Sequence, residues 1–227
     1  MKQSWWHARE ASAGLHGKSG VPSWEHAYAV AEYLSRNKAD PWQGAMGLSA
    51  LSPVESWKWN RALLVSLGAE IGLIPTTGAL LGASVVAYDE SIRLLEAAKG
   101  NLELNLNETR TVGMRKAMWG APLDLKRTTG FKEADAVIVN HGSCDAMVLK
   151  GMLQTAVSCC GAHTLILAAF QGPICKAFKA LKQIFEMKIV VEDTQVSGLA
   201  NTVSLVAMKL KPDSKINLPV DGSKQVT

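Results

Sequence analysis

Residues 64–73 read LVSLGAEIGL. The apolar run Ala62–Leu67 ends at Gly68, and a second glycine, Gly72, precedes a short helix predicted to begin near Pro75 with Thr76 and Thr77. A strand that breaks on glycine and resumes as a helix lets backbone come close to a ligand, because glycine has no Cβ and the amides at a helix start face outward. The spacing is G-x-x-x-G, so the dinucleotide fingerprint G-x-G-x-x-G is absent. The next apolar run, Ala83–Tyr88, ends at Asp89, 21 residues beyond Gly68. An acidic side chain at that strand end can accept hydrogen bonds from both hydroxyls of a ribose. The same residues also read as a turn glycine and an Asp capping the next helix. Spacing alone does not decide between the two.

Outward from this unit, strand and helix alternate. Glu90 to about Leu106 has helical periodicity, with Ile92, Leu95 and Leu102 on its apolar face. Asp135–Asn140 reads as a buried strand, Cys144–Ser158 as a helix and His163–Phe170 as a strand. Pro173–Glu186 is an amphipathic helix with Ala177, Phe178, Leu181 and Phe185 on one face. Met187–Glu192 and Thr202–Leu210 are closing strands with no helix between them, which predicts an antiparallel pair. Strands separated by helices imply right-handed βαβ units and a parallel sheet. The expected fold is α/β: a doubly wound, mostly parallel seven-strand sheet with an antiparallel strand near its C-terminal edge, binding ligands beyond the carboxyl ends of its strands.

The chain of 227 residues suits one domain, with 48% hydrophobic and 19% charged residues. Three parts are expected. Residues 1–60 form a tryptophan-rich segment packing on the domain or on a partner, 61–210 the domain itself, and 211–227 a polar tail. Six of the seven tryptophans lie in the first part: Trp5, Trp6, Trp24, Trp42, Trp57 and Trp59. Such a segment either caps the sheet or docks on another protein, tryptophan being enriched among interface anchors. A net charge of +4 without any Lys/Arg block gives no strong nucleic-acid signal. No apolar run reaches the length of a membrane span. The first twenty residues lack the apolar middle of a signal peptide, and carry Lys2, Arg9 and Lys18 against Glu10, as a mitochondrial transit segment would. The expectation is an intracellular protein, cytoplasmic or mitochondrial. Cys144, Cys159, Cys160 and Cys175 make no metal spacing, so no metal is expected, and they read as reduced thiols in a core helix.

Several stretches together carry a family resemblance. Trp24, Ala27, Ala31, Tyr33 and Leu34 form a W-x-x-A…Y-L pattern. LVSLGAEIGL and GASVVAYDES follow, then Leu95 with Asn101 and Asn105, the pair Trp119-Gly120, and Phe131 with ADAVIVNHGSC. KAFKALKQIFEMKIV closes the series. In order and spacing these resemble the class I, seven-strand S-adenosylmethionine-dependent methyltransferases, and most nearly the branch that methylates protein lysines. The resemblance spans about residues 20–210. It implies S-adenosylmethionine as cofactor, with Gly68, Gly72, Asp89 and Trp119 on its adenosine half.

The departures bear on function. The family's acidic residue at the end of the first strand, which organises the methionine end of the donor, is Ser66. Its middle glycine is Glu70, which adds a side chain where backbone should approach the donor and a negative charge facing the donor's carboxylate. The Asp and Tyr of its D-x-x-Y motif are His141 and Cys144. Methyl transfer depends on holding the acceptor in line with the sulfonium, and those two residues are the family's means of doing so. His141 and Cys144 also carry base and nucleophile chemistry, but no orienting third residue accompanies them. The expected function is therefore a methyltransferase-like protein without turnover. It would act as a binding or structural subunit of a larger assembly, docking through Trp5 and Trp6, with donor binding weak or absent. Two alternatives stand beside it: an active S-adenosylmethionine-dependent protein lysine methyltransferase, and another nucleotide-binding enzyme such as a short-chain oxidoreductase. The latter would want a Tyr-x-x-x-Lys pair, which none of Tyr28, Tyr33 and Tyr88 supplies.

Overall fold

A computed structural model describes residues 24–39, 41–42, 57–106, 112–140, 146–171, 177–195 and 202–211. Helix α1 (Trp24–Arg36) precedes a 3-10 turn at Trp59–Arg61. Then come β1 (Leu63–Leu67), α2 (Leu73–Leu81), β2 (Ser84–Asp89), α3 (Ile92–Asn105), β3 (Val112–Lys116), α4 (Leu125–Thr129) and β4 (Ala134–Asn140). The chain closes with α5 (Ala146–Val157), β5 (Cys160–Gln171), α6 (Ala177–Ile184), β6 (Phe185–Gln195) and β7 (Thr202–Leu210).

The seven strands form one sheet in the order β3-β2-β1-β4-β5-β7-β6. β1 through β5 are parallel, and β7 runs antiparallel to both β5 and β6. The strand order reverses between β1 and β4, which places the ligand crevice of such a sheet above their carboxyl ends.

Alternation along the strands feeds two cores. Leu64, Val85, Ile138, Leu167 and Leu205 face α1 and α2. Val65, Leu67, Val86, Val139 and Ile166 face α5, which contributes Leu149, Met152 and Leu153. All five residues of β1 are buried, as expected of a central parallel strand covered on both faces. Helix α1 lies over β5 and β7 beside α2, with Val30 and Leu34 fully buried. Three tryptophans of the N-terminal part pack here. Trp57 meets Trp42 and Trp59 edge-on, with ring centroids 5.6 and 5.3 Å apart. Trp59 Nε1 donates to the Lys38 carbonyl at 2.7 Å. Trp5 and Trp6 lie outside the described residues, as do His141 and Cys144.

Several local expectations are corrected. Phe185 does not end a helix; it opens β6, opposite Leu210, and is buried. Its aromatic bulk suits the sheet core as well as a helix face, and periodicity could not separate the two. Cys159 and Cys160 are not helical: Cys159 lies in the turn after α5 and Cys160 opens β5. Ile92, expected on the apolar face of α3, is 54% exposed, and the buried face is carried by Ala98 and Leu102. Strand β3, sequence VGMRK, is a half-exposed edge without an apolar run to announce it. Among the described residues no helix is long and apolar enough to cross a membrane.

Candidate functional site

The turn joining β1 to α2 is held from beneath by β2. The amides of Gly68 and Ala69 both donate to the Tyr88 carbonyl at 3.0 Å, and Gly72 N–H closes the turn on Ala69 O at 2.8 Å. Three residues in it have left-handed backbone: Gly68 (φ +79°), Glu70 (φ +46°) and Gly72 (φ +89°). At Gly68 the requirement is steric, since a Cβ would stand 2.3 Å from the Asn140 carbonyl oxygen at the end of β4. At Gly72 a Cβ would press on the α3 backbone at Ala98, 3.0 Å away. Glu70 is the single non-glycine residue with positive φ among the described residues. A residue with a Cβ occupies this region only when its surroundings impose it. Its Oε2 atom is shielded from solvent.

Asp89 supplies much of that imposition. Its Oδ2 accepts the Glu70 N–H at 3.1 Å and its Oδ1 accepts the Ser91 N–H at 2.9 Å. Burial raises its pKa above the ordinary carboxylate value, and the two amide donors oppose the rise. The capping reading of Asp89 is corrected: it is Ser91 Oγ that caps α3, accepting the Leu94 N–H. From the other side Asn101 Nδ2 donates to the Ile71 carbonyl at 2.9 Å, tying α3 to the turn.

Trp119 reaches the same edge. The segment after β3 runs back along the end of β2. Ala117 N–H donates to Asp89 O at 3.0 Å, and Trp119 N–H to Glu90 Oε1 at 3.0 Å. Gly120 N–H is shared between the Gly151 carbonyl and Thr155 Oγ1, both at 2.9 Å. A Cβ on Gly151 would lie 3.0 Å from that of Trp119. Glycine on α5 thus lets the Trp119 segment seat directly on the helix. Gly68, Gly72, Asp89 and Trp119 are therefore brought together at the carboxyl edge. Sequence reading missed their supports, Glu90, Gly151 and Thr155, which sit in ordinary helix and turn contexts without a distinguishing pattern.

Ser66 is fully buried on β1, in register with Ala87 of β2 and Ile138 of β4. Among the described residues neither its hydroxyl nor Asn140 Oδ1 finds a hydrogen-bond partner. The fit to S-adenosylmethionine divides accordingly. Asp89 and the left-handed Gly68 and Gly72 stand where the resemblance would put the ribose half of S-adenosylmethionine. At the methionine half the resemblance would meet the Glu70 side chain and, in place of a carboxylate, the buried Ser66 hydroxyl. Among the described residues no three His, Cys, Asp or Glu side chains converge as a metal site would need.

No family model matches the chain. Solved structures do. An O-methyltransferase from Bacillus cereus, in complex with SAH, superposes with a TM-score of 0.56 at 11% identity, covering 93% of this chain and 91% of that one. The T. thermophilus 16S rRNA N2 G1207 methyltransferase, in complex with AdoMet and guanosine, gives 0.55 at 14% identity; 82% of this chain spans 43% of that one. The magnesium protoporphyrin IX methyltransferase of Synechocystis PCC 6803, with bound SAM, gives 0.50 at 14% identity over 82% of this chain and 79% of that one. At these identities the likeness speaks to the fold, and with the strand order it shows that the chain has the Rossmann-like fold of the class I S-adenosylmethionine-dependent methyltransferases.

Proposed function

We propose that this protein is a methyltransferase-fold subunit that does not turn over S-adenosylmethionine and acts by binding within a larger assembly. The observation that carries the reading is Glu70: a carboxylate side chain, in left-handed backbone, at the centre of the turn that would have to admit the donor. Ser66, buried and uncharged four residues earlier on β1, adds to it. The sequence pattern supports descent from the lysine-directed branch, with the acceptor-positioning Asp and Tyr replaced by His141 and Cys144. A chain that persists without turnover is kept for its contacts, and Trp5 and Trp6 are the residues we assign to a protein partner.

A second reading, an active methyltransferase with an unusual turn, draws on the intact Asp89 arrangement. Calorimetry of the purified full chain separates the two. The first reading expects no micromolar binding of S-adenosylmethionine, and gain of binding in Glu70→Gly. Micromolar binding by the parent, with methyl transfer to any protein acceptor, would overturn it.

A further inference from the structure

The two edges of the sheet are finished differently. β6, on one border, is interrupted by register shifts between Ile189 and Val191 and between Val191 and Thr194, and an irregular edge of this kind resists further pairing. β3, on the other border, keeps unbroken register with β2 from Val112 to Lys116 and contains no proline. We propose that β3 accepts an extended, acidic segment of a partner protein as an eighth strand of the sheet. The proposal is independent of whether S-adenosylmethionine binds, and the edge is a contact apart from Trp5 and Trp6.

The backbone of β3 is oriented for this. Ala117 N–H donates to the Asp89 carbonyl of β2, so by strand alternation Gly113 and Arg115 also turn their amides and carbonyls to β2. Val112, Met114 and Lys116 then present theirs outward, where among the described residues no strand pairs with them. The outward Met114 carbonyl accepts from the neighbouring Arg115 guanidinium at 3.0 Å, on an exposed side chain. A partner strand would replace that contact with backbone hydrogen bonds, which give an added strand its affinity.

Side chains beside the edge supply both room and sign. A groove of about 980 Å³ runs along β3 between α3 and α4, lined by Leu102, Leu106, Val112, Met114 and Phe131. Phe131 is 44% exposed, and Val112 and Met114 are half-buried, so apolar side chains of a partner gain cover here. Gly113 interposes no side chain and leaves that flank to the partner's. Arg115 and Lys116 on the strand, Lys126 and Arg127 on α4 and Lys132 after it are all exposed. Among the described residues none of these five forms an ion pair, while Glu103 meets Lys99 at 3.9 Å and Asp124 caps α4. The cations disfavour a second copy of β3, which would bring its own Arg115 and Lys116 into the seam. They attract carboxylates, so the edge fits an extended chain in which acidic and apolar residues alternate.

Fluorescence anisotropy on the full chain tests this with a labelled, end-blocked decapeptide alternating glutamate and valine. It should bind at least about ten-fold more tightly than a lysine–valine decapeptide, and than a block peptide with all its glutamates preceding all its valines. In the complex, hydrogen exchange followed by NMR should slow at least about ten-fold at the outward amides of Val112, Met114 and Lys116. Met114→Pro removes one outward amide and none that faces β2, and should weaken the decapeptide at least about ten-fold. Arg115→Glu with Lys116→Glu, both at exposed positions, should lose the acidic decapeptide and favour the lysine–valine one. No binding of the decapeptide overturns the proposal. So does equal binding of the block peptide, or unchanged exchange at the three amides in the complex, since either leaves plain charge attraction. An RNA oligonucleotide that displaces the decapeptide and binds more tightly overturns it in favour of a nucleic-acid surface. A dimer of the chain that Met114→Pro dissolves overturns it in favour of self-pairing.

Discussion

Asp89 accepts the backbone N–H of Glu70 at 3.1 Å, so the carboxylate at the end of β2 fastens the left-handed residue of the β1–α2 turn. Replacing Asp89 therefore disturbs the turn itself. Asp89→Ala leaves the Glu70 and Ser91 amides without acceptors and should cost about 1–2 kcal/mol, the relief of a buried charge offsetting part of the loss. The pH dependence has a definite sign. The folded-state pKa of Asp89 is raised, so the folded protein binds the proton more readily than the unfolded chain. Its contribution to stability is then largest below the ordinary carboxylate pKa and declines as pH rises through the raised value. Urea unfolding at pH 4 and pH 7 should show the parent gaining on Asp89→Asn at the lower pH. A gain at the higher pH would contradict the assignment.

Two glycines with nearly equal φ should respond very differently to alanine. Gly68 (φ +79°) faces the Asn140 carbonyl, 2.3 Å from where a Cβ would sit, while Gly130 (φ +82°) has open space there. Gly130→Ala should cost only the left-handed backbone penalty, about 1 kcal/mol. Gly68→Ala must also push two central strands apart and should cost upward of about 3 kcal/mol. Equal losses in denaturant melts would mean that the close approach of β4 to the turn is not as described.

The vicinal cysteines should be inert in the folded protein. Burial pushes the Cys159 thiol up to about 11, and that of Cys160 higher still, with Glu133 adding to the rise. Thiolate is the reactive form, so alkylation at pH 8 should be slow at both sites and accelerate at least a hundred-fold on unfolding. Site-resolved mass spectrometry after timed labelling reads this directly. Rapid native labelling of Cys159 would show that the end of α5 opens.

Trp5 and Trp6 give the partner proposal its test. Replacing both with Ala should weaken assembly with the binding partner recovered from cells, and leave the melting temperature of the isolated chain within about 1 °C, as expected of side chains that serve an interface. A large fall in melting temperature with assembly intact would make them core residues.

How much of this was legible follows from what each residue must satisfy. Leu63–Leu67, Ser84–Asp89 and Ala134–Asn140 announce themselves because central parallel strands are apolar on both faces. Gly68 and Gly72 are legible as turn glycines because the passage from β1 into α2 leaves no room for a side chain at either position. Strand β3 is not, because an edge strand with one half-wet face carries no such constraint. The boundary at Phe185 fails for a related reason: a helix runs directly into β6, without a glycine or proline to mark the change. Glu70 is visible in sequence as a departure. Its left-handed backbone and its bond to Asp89 are tertiary facts that no local pattern encodes.

The last strand made is an inner one. β7 pairs with β5 through Ile166–Gln171 on one side and with β6 along its length on the other. During synthesis β6 therefore leaves the ribosome before the strand that attaches it to the sheet exists. Until Thr202–Leu210 follows, the fully buried Leu167, Ala168 and Ala169 of β5 sit at an open, sticky edge. The nascent chain passes through an interval in which this buried seam lacks its neighbour and is open to other chains or to a chaperone, until β7 closes it.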